Sequence, residues 1–142
     1  MANRNDRLVG NGFLQSERFG IYKALSSWLL HDQVNPIILT DWSDLITDRE
    51  QQLLRASIPV GGRNLTIYER IHPLKHYVNR KVHRDFLAQL RELLPDDITP
   101  IIVTDAGFRG TWFKRVNQLN WHWMGRVRNR VFLLVCKLCD AT

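Results

Sequence analysis

The stretch PIILTDWSDL, residues 36–45, is an apolar segment that runs into acidic residues. The stretch PIIVTDAGF, residues 100–108, repeats its order of proline, two isoleucines, an apolar residue, threonine and aspartate. Ile37 to Thr40 and Ile101 to Thr104 lack alternation of apolar and polar residues, which is typical of central strands buried on both faces. Two such strands, each followed by an aspartate, predict acidic side chains at one edge of a sheet.

Helical periodicity predicts three helices. The first spans Ser16 to Leu30, with Ser16 as its N-cap and an inward face of Ile21, Leu25, Trp28 and Leu29. The second spans Val82 to Leu94, with an inward face of Val82, Phe86, Leu87, Leu90, Leu93 and Leu94. The third spans Arg109 to Asn120, with an inward face of Trp112, Phe113, Val116 and Leu119.

Further strands complete the predicted sheet. Gly61 and Gly62 separate two strand-like runs, residues 52–60 and 63–71, and the pair predicts a hairpin because glycine tolerates the positive φ of tight turns. Residues 121–127 alternate in the manner of a last strand. Strands that alternate with helices favour parallel pairing with right-handed crossovers, so the predicted class is α/β.

Composition limits the function classes. The 142 residues suffice for one ordinary domain, and 44% of them are hydrophobic, which excludes global disorder. The formal charge of +6, from 20 basic and 14 acidic residues, favours an anionic partner, nucleic acid first. No apolar run is long enough to span a membrane, and the polar N-terminus lacks a secretory signal, so a cytoplasmic location without membrane contact is expected.

Asp41 and Asp105 are the candidate chemical residues. If the two isoleucine-rich strands are neighbours, both carboxylates arrive at one crevice, where they repel each other unless a proton or cation lies between them. Hard oxygen ligands select Mg²⁺ or Mn²⁺, the ions that assist displacement at phosphorus. The alternative is structural: each aspartate caps the turn or helix that follows it.

The chain resembles the bacterial insertion-sequence transposases of the DDE type, in the cut-and-paste branch that includes the transposase of the tetracycline-resistance composite transposon. The similarity lies in ordered phrases between residues 3 and 128: DRLVGNGFLQSER, PIILTDWSDL, LLRASIPVGGRNLTIYERIHPL, KVHRDFLAQL, PIIVTDAGFRGTWFKRV and WHWMGRVR. The resemblance implies an RNase H-like mixed sheet with flanking helices. It also implies Asp41 and Asp105 as the first two catalytic acids, Mg²⁺ or Mn²⁺ as cofactor, and transposon-end DNA as partner.

The chain departs from that family at the third catalytic acid. The family has a glutamate on a downstream helix, within Tyr-x2-Arg-x3-Glu-x6-Lys, whereas the last glutamate here is Glu92. The nearest match starts at Tyr77 and Arg80 and has Arg84 at the glutamate position. We therefore expect a truncated transposase, with an incomplete C-terminus and no activity alone. A DNA-binding remnant without activity, or a small metal-dependent nuclease using Asp44 as third acid, are the alternatives.

The expected organisation has three parts. Residues 1–35 are a remnant of an N-terminal DNA-binding region and linking helix, residues 36–128 are a partial catalytic core, and residues 129–142 are a divergent tail. The tail holds Cys136 and Cys139, which are half of a zinc site or, more simply, incidental cysteines.

Basic residues near the predicted site are candidates for DNA contact. The segment from His72 to Arg84 concentrates positive charge, and its alternative interpretation is a solvated loop and helix face. The candidate DNA-binding residues are Lys75, Arg80, Lys81, Arg84 and Arg109. Trp121 and Trp123 are suited to stacking on bases, but strand alternation favours them as core residues.

Overall fold

The computed structural model describes residues 11–45 and 50–126. The predictions for Cys136, Cys139 and the tail therefore fall outside the described residues. In chain order the elements are helix α1 (Gly12–Leu30), strands β1 (Ile37–Asp44), β2 (Gln51–Val60) and β3 (Arg63–Pro73), a 3-10 turn (Leu74–His76), helix α2 (Arg80–Leu93), strand β4 (Ile101–Thr104), helix α3 (Gly110–Gln118) and strand β5 (His122–Gly125).

The five strands form one mixed sheet in the order β3-β2-β1-β4-β5. β1, β4 and β5 pair in parallel, and β2 runs antiparallel to both β1 and β3. The predicted hairpin at Gly61 and Gly62 is confirmed, with φ angles of +57° and +79° that favour glycine. The predicted α/β class, a mixed sheet with flanking helices, is confirmed in the described residues, and the RNase H-like assignment stays a prediction.

Helix α2 anchors the core. Its predicted inward face is confirmed: Phe86, Leu87, Leu90 and Leu93 are buried, Leu94 directly after the helix is buried as well, and Val82 packs half-buried against them. The helix starts at Arg80, earlier than predicted, because the Asn79 side chain accepts hydrogen bonds from the backbone N–H groups of Lys81 and Val82. The predicted inward face of α3 is also confirmed, with Trp112 and Val116 buried and Phe113 and Leu119 partly buried.

The prediction for helix α1 was partly wrong. The helix begins at Gly12 with Asn11 as its N-cap, because the Asn11 side chain accepts from the Phe13 backbone N–H. Ser16 lies inside the helix and donates its hydroxyl to the Phe13 carbonyl. Ile21 and Trp28, two of the four predicted inward residues, are 47% and 72% exposed. The inward face instead runs along Tyr22, Leu25, Ser26, Leu29 and Leu30.

The central strands bury one face in the described part of the chain. Ile38 and Thr40 of β1 are buried against the core, whereas Ile37 is 46% exposed and Leu39 is intermediate. The expectation of burial on both faces was therefore wrong within residues 11–45 and 50–126, where the buried helix residues and one sheet face form a single cluster. Within these ranges no helix is both long and apolar enough to cross a membrane.

Candidate functional site

The strands converge on one edge of the sheet. β1, β3, β4 and β5 point in the same direction because β3 is antiparallel to β2, which is antiparallel to β1. Their carboxyl ends therefore share an edge, which we call the carboxyl edge: Asp44, Pro73, Thr104 and Gly125. The loops that follow β3 and β4 start there, so the topology collects both aspartates and the segment from Leu74 to Arg84 at this edge.

Asp41 lies inside β1 rather than after it. The parallel pairing with β4 stops at Thr40 and Thr104, but the antiparallel pairing with β2 continues to Asp44. The prediction that the strand ends at the aspartate was therefore wrong, because antiparallel backbone pairing with β2 extends β1 to Asp44. Residues alternate between faces along a strand, so Asp41 projects away from the helices and opposite Arg55 of β2.

The electrostatics of Asp41 reflect its position. Burial raises the pKa of the Asp41 carboxyl above its usual value, and the nearby charge of Asp105 raises it further. The Arg55 guanidinium, whose Nη2 lies 3.9 Å from Asp41 Oδ2, and a hydrogen bond with the Trp42 backbone oppose this rise in pKa. Two neighbouring carboxylates repel each other, and a cation bound between them would relieve this repulsion.

Asp105 follows β4 directly and closes a tight turn. Its Oδ1 accepts a hydrogen bond of 2.9 Å from the Gly107 backbone N–H. A Cβ atom at Gly107 would lie 3.1 Å from that oxygen and 3.4 Å from the Tyr77 hydroxyl. Because glycine has no Cβ, the Asp105 carboxylate and the Tyr77 hydroxyl can both lie close to the Gly107 backbone. The structural alternative for Asp105, a turn cap, is thus present. It is compatible with metal binding, because a carboxylate has two oxygens and about four lone pairs.

The donor set suits one hard divalent cation. Two carboxylates, one within β1 and one directly after the neighbouring β4, supply the oxygen ligands that Mg²⁺ and Mn²⁺ prefer. In residues 11–45 and 50–126, however, no group of three or more His, Cys, Asp or Glu residues is arranged to hold a metal. Asp44 does not join Asp41, because it is three residues further along β1 and so on the opposite face, where its Oδ1 accepts from Gln52 Nε2 at 2.6 Å.

The five candidate DNA-binding residues all lie near the carboxyl edge. Lys75 is in the 3-10 turn after β3, Arg80, Lys81 and Arg84 are in the first two turns of α2, and Arg109 precedes α3. All five are exposed. The Arg84 guanidinium contacts Asp85 Oδ1 at 3.3 Å, an exposed ion pair that solvent screens. The five cations therefore share this end of the sheet with Asp41 and Asp105, and DNA contact stays a prediction.

A ring cluster behind Asp41 was missed at the sequence level. His83 is 4% exposed, and its Nε2 accepts a hydrogen bond of 3.1 Å from the Trp42 indole N–H. Trp42 also lies 5.4 Å, between ring centroids, from Tyr77. The sequence does contain a pattern that indicates this burial. His83 precedes Phe86, Leu87 and Leu90 by three, four and seven residues, which places it on the apolar face of α2.

Trp121, directly before β5, and Trp123, within β5, pack against other side chains. Trp121 is 5% exposed, and the Trp123 ring lies 4.1 Å from the Phe113 ring while its Nε1 donates to Asn117. This supports the core interpretation over base stacking. A cavity of about 160 Å³ lined by Arg91, Asp96, Thr99 and Asn120, among others, lies beside the starts of β4 and β5, at the edge opposite the aspartates.

The chain was compared with protein families, curated proteins and solved structures. No protein-family profile matches the chain, and no curated protein matches it either. Among solved structures, the catalytic domain of Mos1 mariner transposase is similar, with 16% identical residues and a TM-score of 0.49 over 82% of this chain. The chain spans 62% of the length of that domain.

Proposed function

We propose that this chain carries part of the catalytic core of a DDE-type DNA transposase, with Asp41 and Asp105 as its first two metal-binding acids. One observation carries the proposal. Each aspartate lies one residue beyond Thr40 or Thr104, the last register pair of two neighbouring parallel strands. The resemblance implies that the first two catalytic acids fall on adjacent strands, and this placement agrees with it. The finer assignment, to bacterial insertion-sequence transposases acting in the cytoplasm, rests on phrases such as PIIVTDAGFRGTWFKRV.

The residues of the site have separate tasks in this proposal. Asp41 and Asp105 hold Mg²⁺ or Mn²⁺, which when bound supplies charge neutralisation for displacement at a phosphodiester. Arg55 limits the repulsion between the carboxylates and favours the ionised form of Asp41, because its charge lowers the pKa of that carboxyl. Gly107 leaves the Asp105 carboxylate uncrowded. Tyr77, whose hydroxyl faces Gly107, closes the side of the site that adjoins the basic segment.

The same geometry predicts that the 142 residues do not cleave DNA on their own. Phosphoryl transfer is assisted when both the attacking and the leaving oxygens are held, commonly by two metal ions. Two carboxylates suit one ion, and no glutamate follows Asp105 in the sequence. The loss of one of these contacts should cost several kcal/mol of barrier, which is roughly a thousandfold in rate.

DNA is the proposed partner because the basic residues and the aspartates occupy the same edge. Exposed Lys75, Arg80 and Lys81 are placed to contact phosphates, which gives binding that is independent of sequence and sensitive to salt. A DNA-binding protein without activity is the second candidate, and it is favoured because residues 11–45 and 50–126 bring no third acid together with Asp41 and Asp105. The small-nuclease alternative is disfavoured, because Asp44 lies on the other face of β1.

Calorimetric titration with Mn²⁺ tests the metal site. The parent should bind one Mn²⁺, and Asp41→Asn and Asp105→Asn should each weaken binding at least about tenfold. Asp97→Asn, which removes an exposed carboxylate from the loop before β4, is the matched control and should bind as the parent does. Binding that survives both site substitutions would refute the proposed site.

A further inference from the structure

Trp42 connects the Asp41 backbone to helix α2. It is the next residue after Asp41 on β1, so its side chain projects to the opposite face of the sheet, toward the helices. There its indole N–H donates to His83 Nε2. An indole N–H can only donate, so Nε2 must be the accepting nitrogen, and the proton of the neutral ring lies on Nδ1.

His83 also contacts the segment that follows Asp105. Its ring stacks on Phe108, three residues after Asp105, with 5.4 Å between the centroids. The Trp112 ring packs edge-on against it at 5.0 Å. His83 is therefore wedged between the residue beside Asp41 and the loop that carries Asp105. Burial, and to a lesser extent His72, lower the pKa of His83 to about 4, so the ring is a neutral acceptor near pH 7.

The β1–β4 ladder does not pair the two aspartates with each other. The β1–β4 pairing ends at Thr40 and Thr104, one residue before each carboxylate. A metal site needs its ligands held to within about half an ångström, which is the task of residues packed behind them. We propose that His83 is a positioning residue that sets the separation of the Asp41 and Asp105 carboxylates, through Trp42 on one side and Phe108 on the other.

This inference rests on the proposed function, because it takes the aspartate pair to be a cation site. The competing explanation is that His83 only fills the core. Two variants separate the explanations: Trp42→Phe keeps the ring but removes the donor, and His83→Phe keeps the packing but removes the acceptor. His83→Gln restores an acceptor and should recover part of the effect.

The chain offers a matched control. Trp123→Phe also removes an indole hydrogen bond of 3.1 Å, to Asn117 Oδ1, from a partly buried ring that packs on an aromatic neighbour. That bond lies on β5 and α3 and touches neither aspartate. All variants are first compared by near-ultraviolet circular dichroism, and affinities are compared at temperatures where each variant is folded.

Two readouts are measured on the full chain. The first needs no metal: the NMR resonance of the Gly107 amide, which donates to Asp105 Oδ1, should shift in Trp42→Phe and His83→Phe and stay in place in Trp123→Phe. The second is the Mn²⁺ affinity by calorimetry, which should fall about tenfold in the first two variants and stay within about twofold in the control.

The outcomes are distinguishable. An unmoved Gly107 amide in both Trp42→Phe and His83→Phe would overturn the positioning role, whatever the metal result. An equal loss of Mn²⁺ affinity in Trp123→Phe would overturn it as well, because the effect would then be one of general stability. The third outcome is a Gly107 amide that shifts in Trp42→Phe and His83→Phe, together with a parent that binds no Mn²⁺ at Asp41. This outcome would refute the proposed function and would still support the contact from His83 to the Asp105 turn.

Discussion

Asp41 and Asp105 each lie one residue past the last pair that joins two neighbouring parallel strands, and their charges oppose each other. Neighbouring strands are about 4.8 Å apart, so the two backbones are close even where pairing has stopped. The charge of Asp105 raises the pKa of Asp41, with burial as the larger cause. A fold does not need such a pair for its stability, and carboxylates arranged in this way are typical of binding and catalytic sites.

Removal of the Asp105 charge and removal of the Arg55 charge should shift the pKa of Asp41 in opposite directions. Asp105→Asn removes a repelling charge and should lower the Asp41 pKa, whereas Arg55→Gln removes an attracting one and should raise it. Because the folded pKa is above the unfolded one, ionised Asp41 destabilises the fold at neutral pH. Asp105→Asn should therefore raise the free energy of unfolding by a few tenths of a kcal/mol, and at most about 1 kcal/mol.

Carboxyl ¹³C NMR titration and urea unfolding at pH 7 check this prediction. Asp97→Asn, in the exposed loop before β4, should change neither quantity. An Asp41 pKa that is the same in the parent and in Asp105→Asn would mean that the carboxylates do not sense each other.

His83 should make the stability depend on pH. Its pKa is about 4 in the fold against 6.5 for an ordinary histidine, so the unfolded chain takes up its proton first as the pH falls. The contribution is complete above about pH 6.5 and is lost as the pH falls toward 4, with a total of roughly 3 kcal/mol. Urea unfolding between pH 7 and 4 measures it.

His83→Gln should remove this pH dependence, and His31→Gln, at an exposed histidine after α1, should retain it. If the free energy of unfolding changed with pH in the same way in the parent and in His83→Gln, the pKa of His83 would not be lowered in the folded state.

Gly107 should be required for metal binding more than for stability. An added Cβ would approach Asp105 Oδ1 to 3.1 Å, which is tighter than ordinary contact, so Gly107→Ala should displace the carboxylate by a few tenths of an ångström. We expect the Mn²⁺ Kd to rise about tenfold, the scale seen when a ligand loses its support. Gly110→Ala is the control, because a Cβ there would meet nothing within 4 Å. Equal Mn²⁺ affinities of the two variants would contradict the crowding argument.

The basic residues at the carboxyl edge should account for DNA affinity. Arg80→Gln with Lys81→Gln should reduce the slope of log K against log salt by about 2 on duplex DNA, since each phosphate contact contributes about 0.9. Arg63→Gln removes an exposed cation from the first residue of β3, at the opposite edge, and should leave the slope unchanged. Fluorescence anisotropy at several salt concentrations measures both. A larger loss in Arg63→Gln would place the DNA on the other edge.

Much of the fold followed from the sequence because its patterns were unambiguous. Phe86, Leu87 and Leu90 recur at helical spacing with charged residues between them, so α2 and its inward face were predictable. Helix α1 was harder, because apolar residues lie all around it and Trp28 is exposed while Ser26 is buried. Local periodicity cannot identify the packed side of such a helix, which depends on contacts with α2 and β3.

The site was predictable in part for the same reason. Asp41 and Asp105 follow apolar runs that identify their strands, so their common edge could be inferred from parallel pairing. The continuation of β1 past Asp41 depends on β2, a partner that local sequence does not reveal. His83 was counted with the exposed basic segment because histidine is read as polar, although its spacing from Leu87 and Leu90 places it inside.

A strand-cleavage assay on transposon-end DNA, with Mg²⁺ or Mn²⁺, tests the central claim most directly. The purified chain is compared with an Asp41→Ala, Asp105→Ala double variant at the same concentration. The account predicts no metal-dependent nicking by either protein, because two carboxylates hold at most one of the ions that the displacement needs. Nicking by the parent that requires the metal and disappears in the double variant would contradict it, since two acids would then suffice.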